Sequence, residues 1–163
     1  MKWGWLLLLA SCTADWPAAS RGDELGPEVG DKGPTHRPGQ PCLWCHGGEA
    51  ATAPEWVAAG TVYAHEGDGA GVAGAQVTLT DADGKELVVT TNSVGNFFVS
   101  EGRGGREGEL GVARAPRFPL HAKVTLNGMT REMRGVIQRD GGCATCHREP
   151  PGAALVGKVW VLP

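Results

Sequence analysis

The chain has 163 residues, a length that suits one domain with tails, and it carries 26 glycines and 11 prolines. Such an excess over ordinary usage argues against a mainly helical protein. A formal charge of −3 leaves no electrostatic footprint for nucleic acid, and no apolar run approaches the ~20 residues that span a bilayer as a helix.

The first segment, residues 1–11, reads as a secretion signal: Lys2 precedes a short apolar run that ends in small residues. Leu9-Ala10-Ser11-Cys12 resembles the bacterial lipobox. That resemblance implies Cys12 as the first mature residue and the site of lipid attachment. It places the protein in the cell envelope, held to a lipid membrane through Cys12, and Thr13 at the next position leans toward the outer membrane. An ordinary signal peptide, cleaved elsewhere, is the alternative. Residues 12–41 read as a tether. Positions 13–41 hold five prolines and five glycines without apolar periodicity, so they bury too little surface to offset their ordering entropy.

The remaining four cysteines fall into two identical frames, Cys42-Leu43-Trp44-Cys45-His46 and Cys143-Ala144-Thr145-Cys146-His147. Each is C-x-x-C-H, the pattern of c-type haem attachment. Two thiols three residues apart add across the two vinyl groups of haem, and the adjacent histidine supplies the proximal nitrogen to iron. Cys42, Cys45, Cys143 and Cys146 are therefore candidates for covalent attachment of two haems c, with His46 and His147 on iron. Four cysteines in two pairs also suit a structural Zn(Cys)4 site, two small disulfide loops, or a thioredoxin-like redox pair. None of these explains why a histidine follows both pairs.

Residues 42–55 form the first attachment loop in this reading. Beyond it, alternation replaces any 3.6-residue period. Strands are expected over 56–64, 75–80, 86–91, 96–100 and 120–126, with a further one over 131–137. Asp83-Gly84 and Asn127-Gly128 are hairpin signals, and residues 66–69 make a glycine-rich loop. The pattern predicts a mainly β chain, with a small antiparallel sandwich over 56–137 and haem-binding loops at both ends. Residues 138–163 would hold the second loop and an edge strand within 155–162.

The run Gly60-Thr61-Val62-Tyr63, Gly71 to Asp81, Gly84, Thr90-Thr91-Asn92 and Gly95-Asn96-Phe97-Phe98 resembles the carboxypeptidase regulatory-like domain over about residues 57–127. The resemblance implies a prealbumin-like, or immunoglobulin-like, β-sandwich that serves as a scaffold and not as a peptidase. With its flanking motifs the chain also resembles small exported multihaem cytochromes.

A low-spin electron-transfer haem needs a sixth ligand, usually His or Met. His36, His65, His121 and Met133 are the candidates for the distal iron positions. His36 sits in a proline-rich segment six residues before Cys42. His121 is opposite in phase to Leu120 and Ala122 and shares a face with Lys123. His65 ends a strand, and Met133 stands among polar neighbours where a core methionine is out of place. Arg131, Arg134 and Arg139, or Arg103, Arg106, Arg114 and Arg117, could pair with haem propionates or a partner. The sequence thus reads as a lipid-anchored di-haem cytochrome passing single electrons to redox partner proteins or other cytochromes. The alternatives are a haem enzyme of the peroxidase or nitrogen-oxide reductase type, and a haem-free binding module with structural zinc.

Overall fold

The computed structural model describes Leu25 and residues 32–47, 54–148 and 156–163. The segment read as a signal, Cys12 and most of the segment read as a tether lie outside the described residues. No described helix is long and apolar enough to cross a membrane.

The chain is mainly β, and two sheets pack face to face. One sheet is built on β1 (Ala58–Tyr63), with β4 (Asn96–Glu101) on one side and the two-residue β8 (Gly141–Gly142) on the other. β5 (Glu109–Val112) extends it beyond β4, and β9 (Val159–Trp160) pairs with the far end of β1. The other sheet runs β3 (Glu86–Thr90), β2 (Gln76–Thr80), β6 (His121–Leu126), β7 (Met129–Glu132). This second sheet is antiparallel throughout. The first is mixed: β1 and β4 are antiparallel, whereas β5, β8 and β9 join in parallel.

Alternation explains the core. Val77 and Leu79 of β2, Leu87 and Val89 of β3, Phe97 and Val99 of β4, and Val124 and Leu126 of β6 are buried in one cluster between the sheets. Their neighbours on β3, Glu86, Val88 and Thr90, point outward and are exposed. β1 differs, because all six of its residues are buried. Ala58 and Val62 face the sandwich core, while Ala59 joins Trp56 and Phe98 in a second cluster. The β1–β4 sheet is therefore covered on both faces, and the outer cover is the first C-x-x-C-H motif.

The turn between β6 and β7 is set by Asn127 and Gly128, with φ of 51° and 79°. Two consecutive left-handed residues match the twist of a two-residue hairpin. This turn starts β7 at Met129, opposite Leu126, and not at residue 131. The strand also ends early. After Glu132 the chain departs, and Ile137 returns only for a single bridge to Leu120. β5 lies between the strands expected over 96–100 and 120–126, where the sequence pattern predicts none. It has four residues, one of them Gly111, so no alternation is long enough to reveal it; its pairing with β4 is a tertiary choice.

Candidate functional site

The first motif folds as one helical turn, α1 (Leu43–His46). The His46 N–H donates to the Cys42 carbonyl at 3.0 Å, so Cys42, Cys45 and His46 fall on neighbouring positions of one turn. Cys42 and Leu43 pack on Trp56, Ala59 and Phe98. His46, Trp56 and Phe98 form a stack, with ring centres 4.1 Å apart at each step. His46 Nδ1 lies 2.9 Å from the Pro54 carbonyl oxygen. A carbonyl only accepts, so Nδ1 donates, and the neutral ring carries its lone pair on Nε2.

The second motif repeats this device. α2 (Cys143–Cys146) follows β8 directly, and the His147 N–H donates to the Cys143 carbonyl at 2.8 Å. His147 Nδ1 donates to the Gly157 carbonyl at 3.0 Å. The chain after the motif turns back to supply that carbonyl. The Val156 N–H donates to Cys146 at 2.9 Å and the Arg148 N–H donates to Val156 at 3.1 Å. Val159 and Trp160 then pair with Val62 and Tyr63, which closes the second motif onto the sandwich as the sequence suggests.

Beside this motif lies a cavity of about 590 Å³ that reaches between the sheets. Cys143, Cys146 and His147 line one wall, and inward-facing Val77, Leu79, Phe97 and Val124 form its floor. Met133 stands at the wall on the β7 side, with Arg131, Arg139 and Lys158 among the charged groups around it. Glu66, Glu132 and Asp140 balance those cations. The size falls within the range of roughly 300–1,000 Å³ usual for cofactor sites, and apolar walls with a few polar groups are their usual lining. The residues present thus fit a covalently held haem. They supply two thiols on one turn, an oriented imidazole beyond them, and an apolar cleft beside both.

One glycine makes room for this arrangement. A Cβ on Gly60 would stand 2.8 Å from the Cys143 Cβ and 3.0 Å from the Phe97 ring. Gly60→Ala is therefore expected to destabilise the fold by about 1–3 kcal/mol through overpacking. Thermal denaturation of the variant checks this.

The motifs bound the sandwich in sequence, yet the fold brings them together at the β1–β8 edge. The Arg148 guanidinium carbon lies 4.9 Å from the centre of the Trp44 ring. Leu43 Cβ is 3.5 Å from the point where a Gly142 Cβ would stand. Burial, followed by repulsion from Cys42, pushes the Cys143 thiol up to about 12, and burial pushes Cys42 to about 12 as well. A redox-active pair needs a thiol lowered toward neutrality, and the shifts at Cys42 and Cys143 run the other way. Among the described residues no three His, Cys, Asp or Glu side chains converge as a chelating group, and the four cysteines are half-buried thiols. A single tetrahedral centre of four thiolates is not assembled.

The structure sorts the remaining candidates. His36 is brought to the first motif, its ring centre 5.8 Å from that of His46. His65 is more than half exposed and pairs with Asp68 at 3.3 Å. His121 is exposed, opposite Thr80 on the four-stranded sheet, and does not line the cavity beside the second motif. Arg131 and Arg139 line the large cavity, and the Arg131 guanidinium stacks 3.0 Å from the centre of the Trp160 ring. Arg106 and Arg117 pair instead with Glu109 and Asp83. Arg134 does not line that cavity, nor do Arg103, Arg106, Arg114 and Arg117.

Sequence reasoning missed how the segment before Cys42 is held. The Asn92 amide donates to the Pro34 carbonyl at 2.7 Å, and the Asn96 amide donates to the carbonyls of Pro34 and His36, both at 3.2 Å. The Thr61 hydroxyl donates to Asn96 Oδ1 at 2.7 Å and accepts the Gly39 N–H at 2.7 Å. Residues 34–39, read as part of a spacer, are thus clamped to the sandwich by buried polar groups. The signal was present as three polar residues, Thr61, Asn92 and Asn96, inside β-rich runs. No protein-family model matches the chain, and no curated protein or solved structure matches it.

Proposed function

We propose that this chain is an exported, lipid-anchored carrier of single electrons, holding two haems c on a carboxypeptidase regulatory-like, prealbumin-like scaffold. The observation that carries the reading is the shared setting of His46 and His147. Each follows a pair of thiols on one helical turn, and each donates Nδ1–H to a backbone carbonyl, which sets Nε2 as the metal-binding nitrogen. When bound, the haem iron supplies a reversible one-electron couple. Cys42 and Cys45, and Cys143 and Cys146, would hold the two groups covalently, which suits a domain too small to enclose them fully. The backbone carbonyls of Pro54 and Gly157 fix the imidazoles, so little reorganisation accompanies a change of charge. Val77, Leu79, Phe97 and Val124 exclude water from the second site, and the Arg131 and Arg139 side chains stand where carboxylates of a bound group could pair with them.

The partners implied are exported redox proteins or other cytochromes, reached from the membrane through lipid on Cys12. The full chain, matured by the haem-attachment machinery, is expected to reduce and reoxidise reversibly without consuming peroxide or nitrite. Steady turnover of either substrate would overturn the carrier reading in favour of a haem enzyme.

A further inference from the structure

Resting on the two-haem reading, we infer that the two iron sites are completed by unlike sixth ligands: His36 at the first motif and the Met133 thioether at the second. Three observations converge on His36. Metal–nitrogen bonds of about 2 Å put the centres of two imidazoles sharing one metal about 6 Å apart, and the His36 and His46 ring centres are 5.8 Å apart. Their interplanar angle of 48° is no obstacle, because rotation about a metal–nitrogen bond leaves the bond intact. His36 Nδ1 is turned to the Gly33 backbone, against both its N–H and its carbonyl, so Nε2 is the ring nitrogen left to face a metal. The clamp from Asn92, Asn96 and Thr61 fixes the segment that presents it.

At the second motif the donors differ. His147 is the one histidine lining the described cavity. Met133 lines the same cavity, held by its N–H to the Ala122 carbonyl at 2.9 Å just past the end of β7. It is 37% exposed, so its flexible thioether has room to turn inward. Lys158 also lines the cavity, but its ammonium donates to the Asp68 carbonyl at 2.8 Å and sits 4.9 Å from the Tyr63 ring centre.

Unlike ligands give unlike potentials. A thioether raises the potential of a histidine-ligated haem relative to a second imidazole, so the second site holds an electron more tightly than the first. With the motifs side by side, His36 and His46 would hold the lower-potential group and His147 and Met133 the higher-potential one. One electron could then pass from the first, oxidising it, to the second, reducing it, with an exported one-electron donor and acceptor completing the cycle.

The test uses the full chain with both haems, confirmed by intact mass. Its oxidised spectrum is expected to show the long-wavelength sulfur-to-iron charge-transfer band. Met133→Leu should abolish that band, while Met129→Leu and His36→Gln should keep it. Potentiometric titration with dithionite should resolve two waves. Met133→His should move the upper wave toward the lower one, and His36→Gln should disturb the lower wave alone. A doubly loaded protein without the band, a band that survives Met133→Leu, or a lower wave unmoved by His36→Gln would overturn the assignment and leave the two-haem reading standing. A chain of unmodified mass would sink that reading itself.

Discussion

Replacing Cys143 and Cys146 together by alanine is expected to remove one haem and to lower stability far more than the same change at Cys42 and Cys45. The asymmetry comes from where the two motifs lie. The second borders a cavity of about 590 Å³ whose floor is the inner face of both sheets. A group bound there packs against Val77, Leu79, Phe97 and Val124, which the sandwich itself already buries, so its loss empties the apolar cleft beside them. Emptying apolar volume in a core costs on the order of several kcal/mol. The first motif instead lies on the outer face of the β1–β4 sheet, where Trp56, Ala59 and Phe98 already pack against Leu43. Its loss leaves the sandwich core intact. Intact mass should fall by one haem in both double variants, whereas the thermal midpoint should fall steeply in the first and modestly in the second. Equal midpoints would contradict a haem seated between the sheets.

The second large effect is expected at Asn96, which is fully buried. Its side chain accepts from Thr61 and donates to Pro34 and His36, and its own N–H donates to Asn92 Oδ1 at 2.9 Å. Asn96→Ala leaves the Thr61 hydroxyl and two linker carbonyls without this partner. Orphaned buried groups cost about 1–3 kcal/mol each, and water reaching the loosened linker recovers part, so a net loss of about 3 kcal/mol is expected. Asn96→Asp should restore the acceptor for Thr61 but repel the carbonyls, and so should rescue little. Chemical denaturation of the three proteins measures this. A stability change below about 0.5 kcal/mol, typical of surface substitutions, would show that the linker is not anchored through Asn96.

Local pattern carried the sandwich well. Val77, Leu79, Val124 and Leu126 alternate with polar neighbours, Leu87 and Val89 alternate in burial with Glu86, Val88 and Thr90, and the strands that hold them begin and end within about a residue of where that alternation does. Asn127-Gly128 announced its hairpin because few residue pairs accept two positive φ angles. The phase of His121 against Leu120 correctly placed it on the outer face of the sheet.

What alternation could not convey is which distant segments meet. The C-x-x-C-H frames name their own chemistry, but nothing local says that Trp44 lies against Arg148. The parallel pairing of Ala58 and Ala59 with Gly141 and Gly142 draws the two motifs to one edge, and that pairing joins residues about half the chain apart. The same holds for His36. Prolines around it suggested a stiff spacer, whereas the Asn92 and Asn96 amides, nearly sixty residues later, decide where it stands.

The central claim is that Cys42, Cys45, Cys143 and Cys146 hold two haems. Intact mass spectrometry of the full chain, exported together with the haem-attachment machinery, tests it most directly. The account predicts a polypeptide heavier by two haem groups, with the added mass assigned to peptides containing residues 42–46 and 143–147. A mature chain without haem, or with zinc bound to its four thiols, would contradict it.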